Sequence, residues 1–411
     1  MALVTNTLLT SSIIVKEMLR LLKNNLVFAP LVWRNLEKEF AKKIGASVSI
    51  KMPYRSKAAD GNTLVKKSMK DVTVTLTVDS QAHFALEYSS VDMKLSIDQF
   101  SKRYLQTGIV QLAEKIDLSI AATINETFFA AGTPGTQPTA FIDYANAAAK
   151  QTVHAVPNDG QRCIVVEPYT HAALSDSVTK LLNTTKTDEA FTKGYHGDVA
   201  EYMLYSSNNL PTHTVGAHGG TPLMNGATAT GATSIVTDGW TASVAGLLAV
   251  GDIFTIAGVN SINPSNYQDT GELQQFVVTA TAASDGSGNS TISISPEIND
   301  GSGADGAEGY QTVTALPADN AAITVAGTAS TTYKLSYAFH KEAIALAIVP
   351  LDLPETAGLA KRIYDKKSGI AMSLTGDFNI TDLAEIKRVD ILWGVKMIRP
   401  ELAMRVWGAV H

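Results

Sequence analysis

The longest periodic stretch of the chain runs from Leu95 to Gly132. Apolar residues recur at Ile97, Phe100, Tyr104, Ile109, Leu112, Ile116, Ile120 and Ile124, in steps of mostly three and four. That spacing lays one apolar stripe along a helix. Ser96 and Gln99 have capping-box spacing at its start, and Gly132 followed by Pro134 ends it. The pattern predicts a helix over 96–131, and about 35 residues would span roughly 50 Å. Lys102, Arg103, Glu114, Lys115 and Asp117 exclude a membrane span, and the heptad is not sustained. A structural spine is the remaining reading. Gly108 inside it is the candidate bend, since glycine weakens a helix interior.

Around this spine the period changes several times. Ile14, Met18, Leu21 and Leu22 give one amphipathic helix near the N-terminus, and Trp33, Leu36, Phe40 and Ile44 give a second. These helices pack either on a partner or on the chain's own core. Val48, Ile50 and Met52 alternate with polar residues, as do Val72, Val74, Leu76 and Val78. The two runs predict a hairpin over 46–80 with a long basic tip. Beyond the spine, helices are expected near Asp143–Lys150 and from Pro168 to Leu182. Strands are expected at Cys163–Glu167 and Tyr202–Ser206. The alternation implies an α+β or α/β domain.

From 213 to 333 the pattern becomes short apolar runs between Gly- and Ser-rich turns: Ile253–Ile256, Phe276–Val278, Thr291–Ile294. This is the signature of a small barrel or sandwich. Charge marks the same segment. Residues 213–333 hold 10 Asp and Glu and no Lys or Arg, whereas residues 1–70 hold 13 Lys and Arg against 4 Asp and Glu. Strand patterns resume after it, over Lys334–Leu346, Ile370–Ile380 and Val389–Val395. The acidic segment is therefore an insertion into a mixed domain.

Composition adds little chemistry. Charged residues make up only 18% of the 411, which suits a surface buried against copies of the same chain. One cysteine, Cys163, excludes an intrachain disulfide. Lys16, Glu17 and Arg20 interrupt the apolar stretch Leu8–Leu22, so no secretion signal is expected, and no membrane span either. Nucleotide, zinc-protease, serine-hydrolase and CxxC motifs are absent from the sequence. His213 and His218 fit no common zinc spacing, and Asp300–Gly306 lacks the ligands of a calcium loop. No enzyme, cofactor or metal is expected.

The order of parts resembles the major capsid proteins of tailed bacteriophages, with their HK97-like fold. Several stretches resemble the phage P22 coat protein family: Val250-Gly251-Asp252-Ile253-Phe254-Thr255-Ile256-Ala257-Gly258-Val259 in the insertion, and Gln274–Thr279 with Thr291–Pro296. Two more are Ile391-Leu392-Trp393-Gly394-Val395 followed by Arg399-Pro400-Glu401, and Asn208-Asn209-Leu210-Pro211 ahead of the insertion. The resemblance implies an N-terminal arm (1–45), an extended hairpin (46–80) and a peripheral domain (81–139). It further implies an axial domain (140–212), an inserted β domain (213–333) and returning strands (334–411). It implies a coat subunit forming pentamers and hexamers of an icosahedral shell around double-stranded DNA, in the virion, after assembly in the host bacterial cytoplasm. Scaffolding and portal proteins are the implied partners. Arg55, Lys57, Lys66, Lys67 and Lys70 of the hairpin are candidate contacts to a neighbouring subunit. A non-viral, encapsulin-like shell and a secreted adhesin or carbohydrate-binding protein are the alternatives.

Overall fold

The computed structural model describes residues 11–34, 47–58, 61–62, 64, 66, 68, 71–89, 105–179, 197–303, 307–351, 359–365, 370–379 and 384–411. They fall in two compact units. The first lies within Met1–Ile50, Thr75–Ile120 and Ile344–Lys396, the second within Lys51–Val74, Ala121–Ala343 and Met397–His411. A two-stranded sheet of β1 (Ser47–Lys51) and β2 (Thr73–Thr77) forms the hairpin stem. Val48 and Ile50 are buried on one face of β1, as the alternation predicts.

In the first unit, helix α1 (Ser11–Asn25) buries Ile14, Val15, Met18 and Leu22 and keeps Lys16 and Arg20 outside. Its apolar face thus serves the chain's own core. The chain then turns, and Trp33 exchanges backbone hydrogen bonds with Ile344 and Leu346. Trp33 is thus a bridge residue rather than part of a second helix; residues 35–46 lie outside the described set. The sheet it meets has the order β16 (Ile344–Val349), β19 (Ala384–Met397), β18 (Ile370–Asn379), β17 (Leu359–Asp365), with β3 (Ser80–Ser89) also paired to β19. Helix α2 (Gln106–Ala121) buries Ile109, Leu112, Ile116 and Ile120 almost completely. It docks on β19 through Trp393, whose indole N–H donates to Ser119 Oγ at 2.9 Å. Gly108 sits against the Phe84 ring of β3, where a Cβ would overlap the ring carbons.

The helix expected over 96–131 is shorter at its C-terminal end. Residues 96–104 lie outside the described set. The α-helix stops at Ala121, tightens into a 3-10 turn over Ala122–Glu126, and gives way to strand β4 (Phe129–Ala131). The physical reason is remote in sequence. Helix ends leave carbonyls unpaired, and here the Arg405 guanidinium takes those of Ile124 (3.1 Å) and Thr127 (2.9 Å). Thr127 Oγ1 also donates to the Ile124 carbonyl at 2.6 Å. With those groups satisfied, Phe128 and Phe129 continue in extended form, which aromatic residues favour.

The second unit is built on a mixed sheet. Its order is β4, β20 (Ala403–Val410), β15 (Thr332–His340), β5 (Arg162–Val166), β7 (Tyr202–Ser206), β6 (Asp198–Val199), with β8 (Thr212–Thr214) beside the start of β15. Strands β5 and β7 run parallel, and β15 runs antiparallel to both β5 and β20. Helices α3 (Phe141–Val153) and α4 (Pro168–Thr179) complete this α+β region. The chain leaves the sheet at β8 and returns at β15, and these two strands pair through Thr214 and Thr332.

Between them stands a six-stranded sheet, β14 (Ile323–Val325), β11 (Ile253–Ile262), β12 (Asp269–Val278), β13 (Ser290–Ile298), β10 (Ala232–Trp240), β9 (Gly220–Met224). It closes into a barrel where Met224 N–H donates to Ala321 O and Asn320 N–H donates to Met224 O, both at 2.9 Å. The interior is apolar. Phe254 and Phe276 stack with centroids 5.8 Å apart among Ile256, Val278, Ile292 and Trp240. The Trp240 indole N–H donates to Thr237 Oγ1, so the one polar atom of that ring is satisfied.

Candidate assembly interface

Three features of the second unit bear on what this chain does with other molecules. The first is the joint between barrel and mixed sheet. Asp252, almost fully buried, accepts bonds from the Gly216 and Ala249 backbone N–H groups (3.0 and 2.8 Å) and pairs with His213 Nε2 (2.8 Å). Beside it, Arg405 donates to the Gly251 carbonyl at 2.7 Å. Burial pulls the Arg405 guanidinium down to about 10, and the nearby Asp252 charge opposes that shift. Lys150 of α3 reaches the barrel at Gln275 (3.1 Å) and Glu272 (3.4 Å), and Gln275 also accepts the Ala130 N–H. The Lys150 ammonium is pushed below its ordinary value by burial, with Glu272 opposing. Such partly desolvated, directional contacts fix geometry more than they add stability. The insertion carries no Lys or Arg of its own, so every lysine or arginine side chain on it comes from elsewhere in the chain.

The second feature is the hairpin arm. Arg55 pairs with Glu401 at 2.5 Å, and Lys57 lies 5.2 Å from the centroid of the Tyr267 ring. Both side chains therefore face their own unit. Leu64 is 79% exposed near the tip, and Lys66 is exposed there too. Lys67 and Lys70 lie outside the described residues. Of the five hairpin cations singled out in the sequence, two are thus engaged within the chain and one is open. Gly108 has a packing reason in Phe84, set out above. Glu401 stood in the sequence only within the Arg399-Pro400-Glu401 stretch and Tyr267 carried no signal; the role of each comes from a partner far along the chain.

The third feature was not singled out in the sequence at all. Helix α3 turns both of its charged side chains to backbone. Asp143 accepts the Ala140 N–H at 3.1 Å and Lys150 donates to Ala130 O at 3.1 Å. What remains outside is uncharged: Phe141 (43% exposed), Ile142 (59%) and Val153 (40%), with Asn146, Ala149 and Thr152. A groove runs between this face and the Ala200–Glu201 turn, and Glu201 is itself paired with the buried Arg162 at 3.0 Å. The described residues hold no cluster of His, Cys, Asp and Glu suited to a metal, and no helix long and apolar enough to cross a membrane.

A model of the family described as "P22 coat protein - gene protein 5" matches residues 1–408. The chain belongs to the P22 coat protein family. It is the major capsid protein of a tailed phage, a structural component that assembles with its own kind into the virion shell. The α+β, HK97-like capsid fold stands with that membership. Among solved structures, the chain is similar to one from Mycobacterium phage Che8, at 16% identity over 93% of this chain and 90% of that one, with a TM-score of 0.46. It is similar to the capsid of cyanophage P-SCSP1u at 13% identity, 93% and 88% coverage and a TM-score of 0.43. The CUS-3 coat protein I-domain is 30% identical over 26% of this chain and 94% of that one, with a TM-score of 0.20. A search of curated proteins found no match.

Proposed function

We propose that this P22-family coat protein closes into pentamers and hexamers of an icosahedral shell, with the outer face of α3 as a contact between neighbouring copies. The carrying observation is that face itself. Phe141, Ile142 and Val153 stand in solvent on a helix whose two charged side chains are both bonded to backbone groups. Contiguous exposed apolar residues without charge mark an interface rather than a free surface. A chain that self-associates has an occupant for it in the next copy.

On this reading residues 1–45 act as an N-terminal arm and the hairpin 46–80 reaches a neighbour with its basic tip, Lys66, Lys67 and Lys70. Residues 81–139 form the peripheral domain, residues 140–212 with part of 334–411 the axial domain, and residues 213–333 the inserted β domain. Gly108 is the point where the spine bends if the shell changes shape. A scaffolding protein directs assembly in the host cytoplasm, a portal protein occupies one vertex, and double-stranded DNA is enclosed without sequence readout. A net charge of −6 suits a wall that does not grip DNA strongly. Electron microscopy of the purified chain, with and without co-expressed scaffolding protein, tests the proposal. Closed shells are expected; dispersed monomers under every condition overturn it.

A further inference from the structure

The inserted barrel has a free side beyond its joint with the mixed sheet, and the hairpin arm lies on it. Past β1 the arm is extended, and exposure alternates along it. Arg55 and Lys57 are partly buried while Tyr54, Ser56 and Ala58 are exposed. Among the described residues the arm makes no ladder with the barrel, so its side chains and one close backbone approach hold it there.

Two contacts to the barrel do so, and an ion pair to the 3-10 turn Pro400–Leu402 ahead of β20 steadies the same stretch. Arg55 Nη2 meets Glu401 Oε1 at 2.5 Å, and Glu401 is held in turn by Arg399 Nε at 3.2 Å. Lys57 stands 5.2 Å from the centre of the Tyr267 ring, within the range of a cation–π contact. Tyr267 is a non-glycine residue with φ of 57°, fixed by a bond from its N–H to Asn263 O (2.8 Å) and from its hydroxyl to Gly309 O (3.2 Å). A left-handed tyrosine costs free energy, which is a reason to look for a task at that ring. The third contact is steric. The backbone of Arg55 and Ser56 passes so close to Gly309 that any Cβ there would overlap the Arg55 carbonyl. The nearest atoms to that missing Cβ all belong to the arm, and none to the barrel. Below the arm, Met52 and Val72 line a small cleft with Tyr310 and Ile398.

We infer that the inserted barrel is a seat for the chain's own hairpin arm, holding Arg55–Lys57 in place on the subunit before assembly. This gives the insertion a role in positioning the hairpin, separate from any contact between subunits. The acidic, lysine- and arginine-free character of the barrel and the basic character of the hairpin are complementary within one chain. Ordering the arm in advance removes part of the entropy cost of binding a neighbour.

Limited trypsin digestion of the unassembled full-length chain tests the inference, because cleavage reports local opening. In the wild type, cuts after Arg55 and Lys57 are expected to be slow and the cut after the exposed Lys66 fast. Gly309→Ala should accelerate the two arm cuts about tenfold and leave the tip cut unchanged. Glu401→Gln should accelerate them by a smaller factor. If the alanine variant does not fold, Tyr267→Leu decides: a faster cut after Lys57 is expected, and an unchanged cut overturns the inference. Arm cuts as fast as the tip cut in the wild type, or arm cuts unaffected by the substitution, overturn the inference. Because the readout is taken on free subunits, it stands or falls independently of whether shells form.

Discussion

Helices α2 and α3 carry similar amounts of apolar side chain and spend it differently. On α2 the stripe Ile109, Leu112, Ile116, Ile120 is sealed inside its own unit, and Asp117 faces inward with it. On α3 the inward face is mostly small, Ala147 and Ala148 beside Tyr144, and the larger apolar residues Phe141, Ile142 and Val153 stand outside. Hydrophobic residues alone therefore do not say which surface is core. What separates the two helices is where their charges go. The outer side of α2 keeps Glu114 and Lys115 exposed, whereas α3 sends Asp143 and Lys150 to backbone partners and leaves its outside bare.

The sharpest way to break this contrast is to empty the sealed stripe. Ile116→Ala should cost about 2–5 kcal/mol of stability in urea unfolding, through lost burial and a residual cavity. A loss below about 0.5 kcal/mol would mean the stripe is not a tight core.

A second, smaller effect tests the buried carboxylate of the same helix. Asp117 accepts the Val27 and Phe28 N–H groups at 2.7 and 3.2 Å, yet burial outweighs those bonds and pushes its carboxyl up to about 6. The folded chain then holds this proton over a range where the unfolded chain, near 3.8, has lost it. This group's contribution to stability is thus fully present below that lower value and is lost as pH rises through about 6. The change is on the order of 3 kcal/mol. Urea unfolding of wild type and Asp117→Asn across this range should show a steeper decline in the wild type. Parallel profiles would place the carboxyl at an ordinary value.

The smallest effect on stability is expected on α3. Ile142→Lys should shift unfolding by less than about 0.5 kcal/mol, since the side chain is already in water. Its effect belongs to assembly: shell yield by sedimentation should drop sharply at unchanged monomer stability. Normal yield would remove α3 from the interface.

Much of this arrangement was legible in the residue pattern, and the illegible parts share a cause. The strands β11, β12 and β13 fall on the short apolar runs Ile253–Ile256, Phe276–Val278 and Thr291–Ile294, because such runs and the turn residues that bound them are local properties. The α2 stripe was legible for the same reason. The end of that helix was not, because its last carbonyls are taken by Arg405, 281 residues away from Ile124. The closure of the barrel at Met224 and Ala321 was hidden likewise. The α3 face escaped because an alanine-rich helix reads as core whichever way it is turned; only the backbone bonds of Asp143 and Lys150 identify the bare side. The absence of Lys and Arg from 213–333 was plain in the sequence, but its counterpart, cations supplied by Lys57, Lys150 and Arg405, needed the fold.

The pairing of Thr214 with Thr332 has a consequence for how the barrel can be removed. The two strands that carry the barrel are already neighbours in the ladder of the mixed sheet. A short turn joining them would close that ladder with its register intact. The barrel is thus attached as a cassette is, between adjacent strands, and its excision would leave the pairing of the sheet beneath unbroken. The trace such a loss leaves is Arg405: the Ile124 and Thr127 carbonyls stay with it, and the place of the Gly251 carbonyl falls vacant.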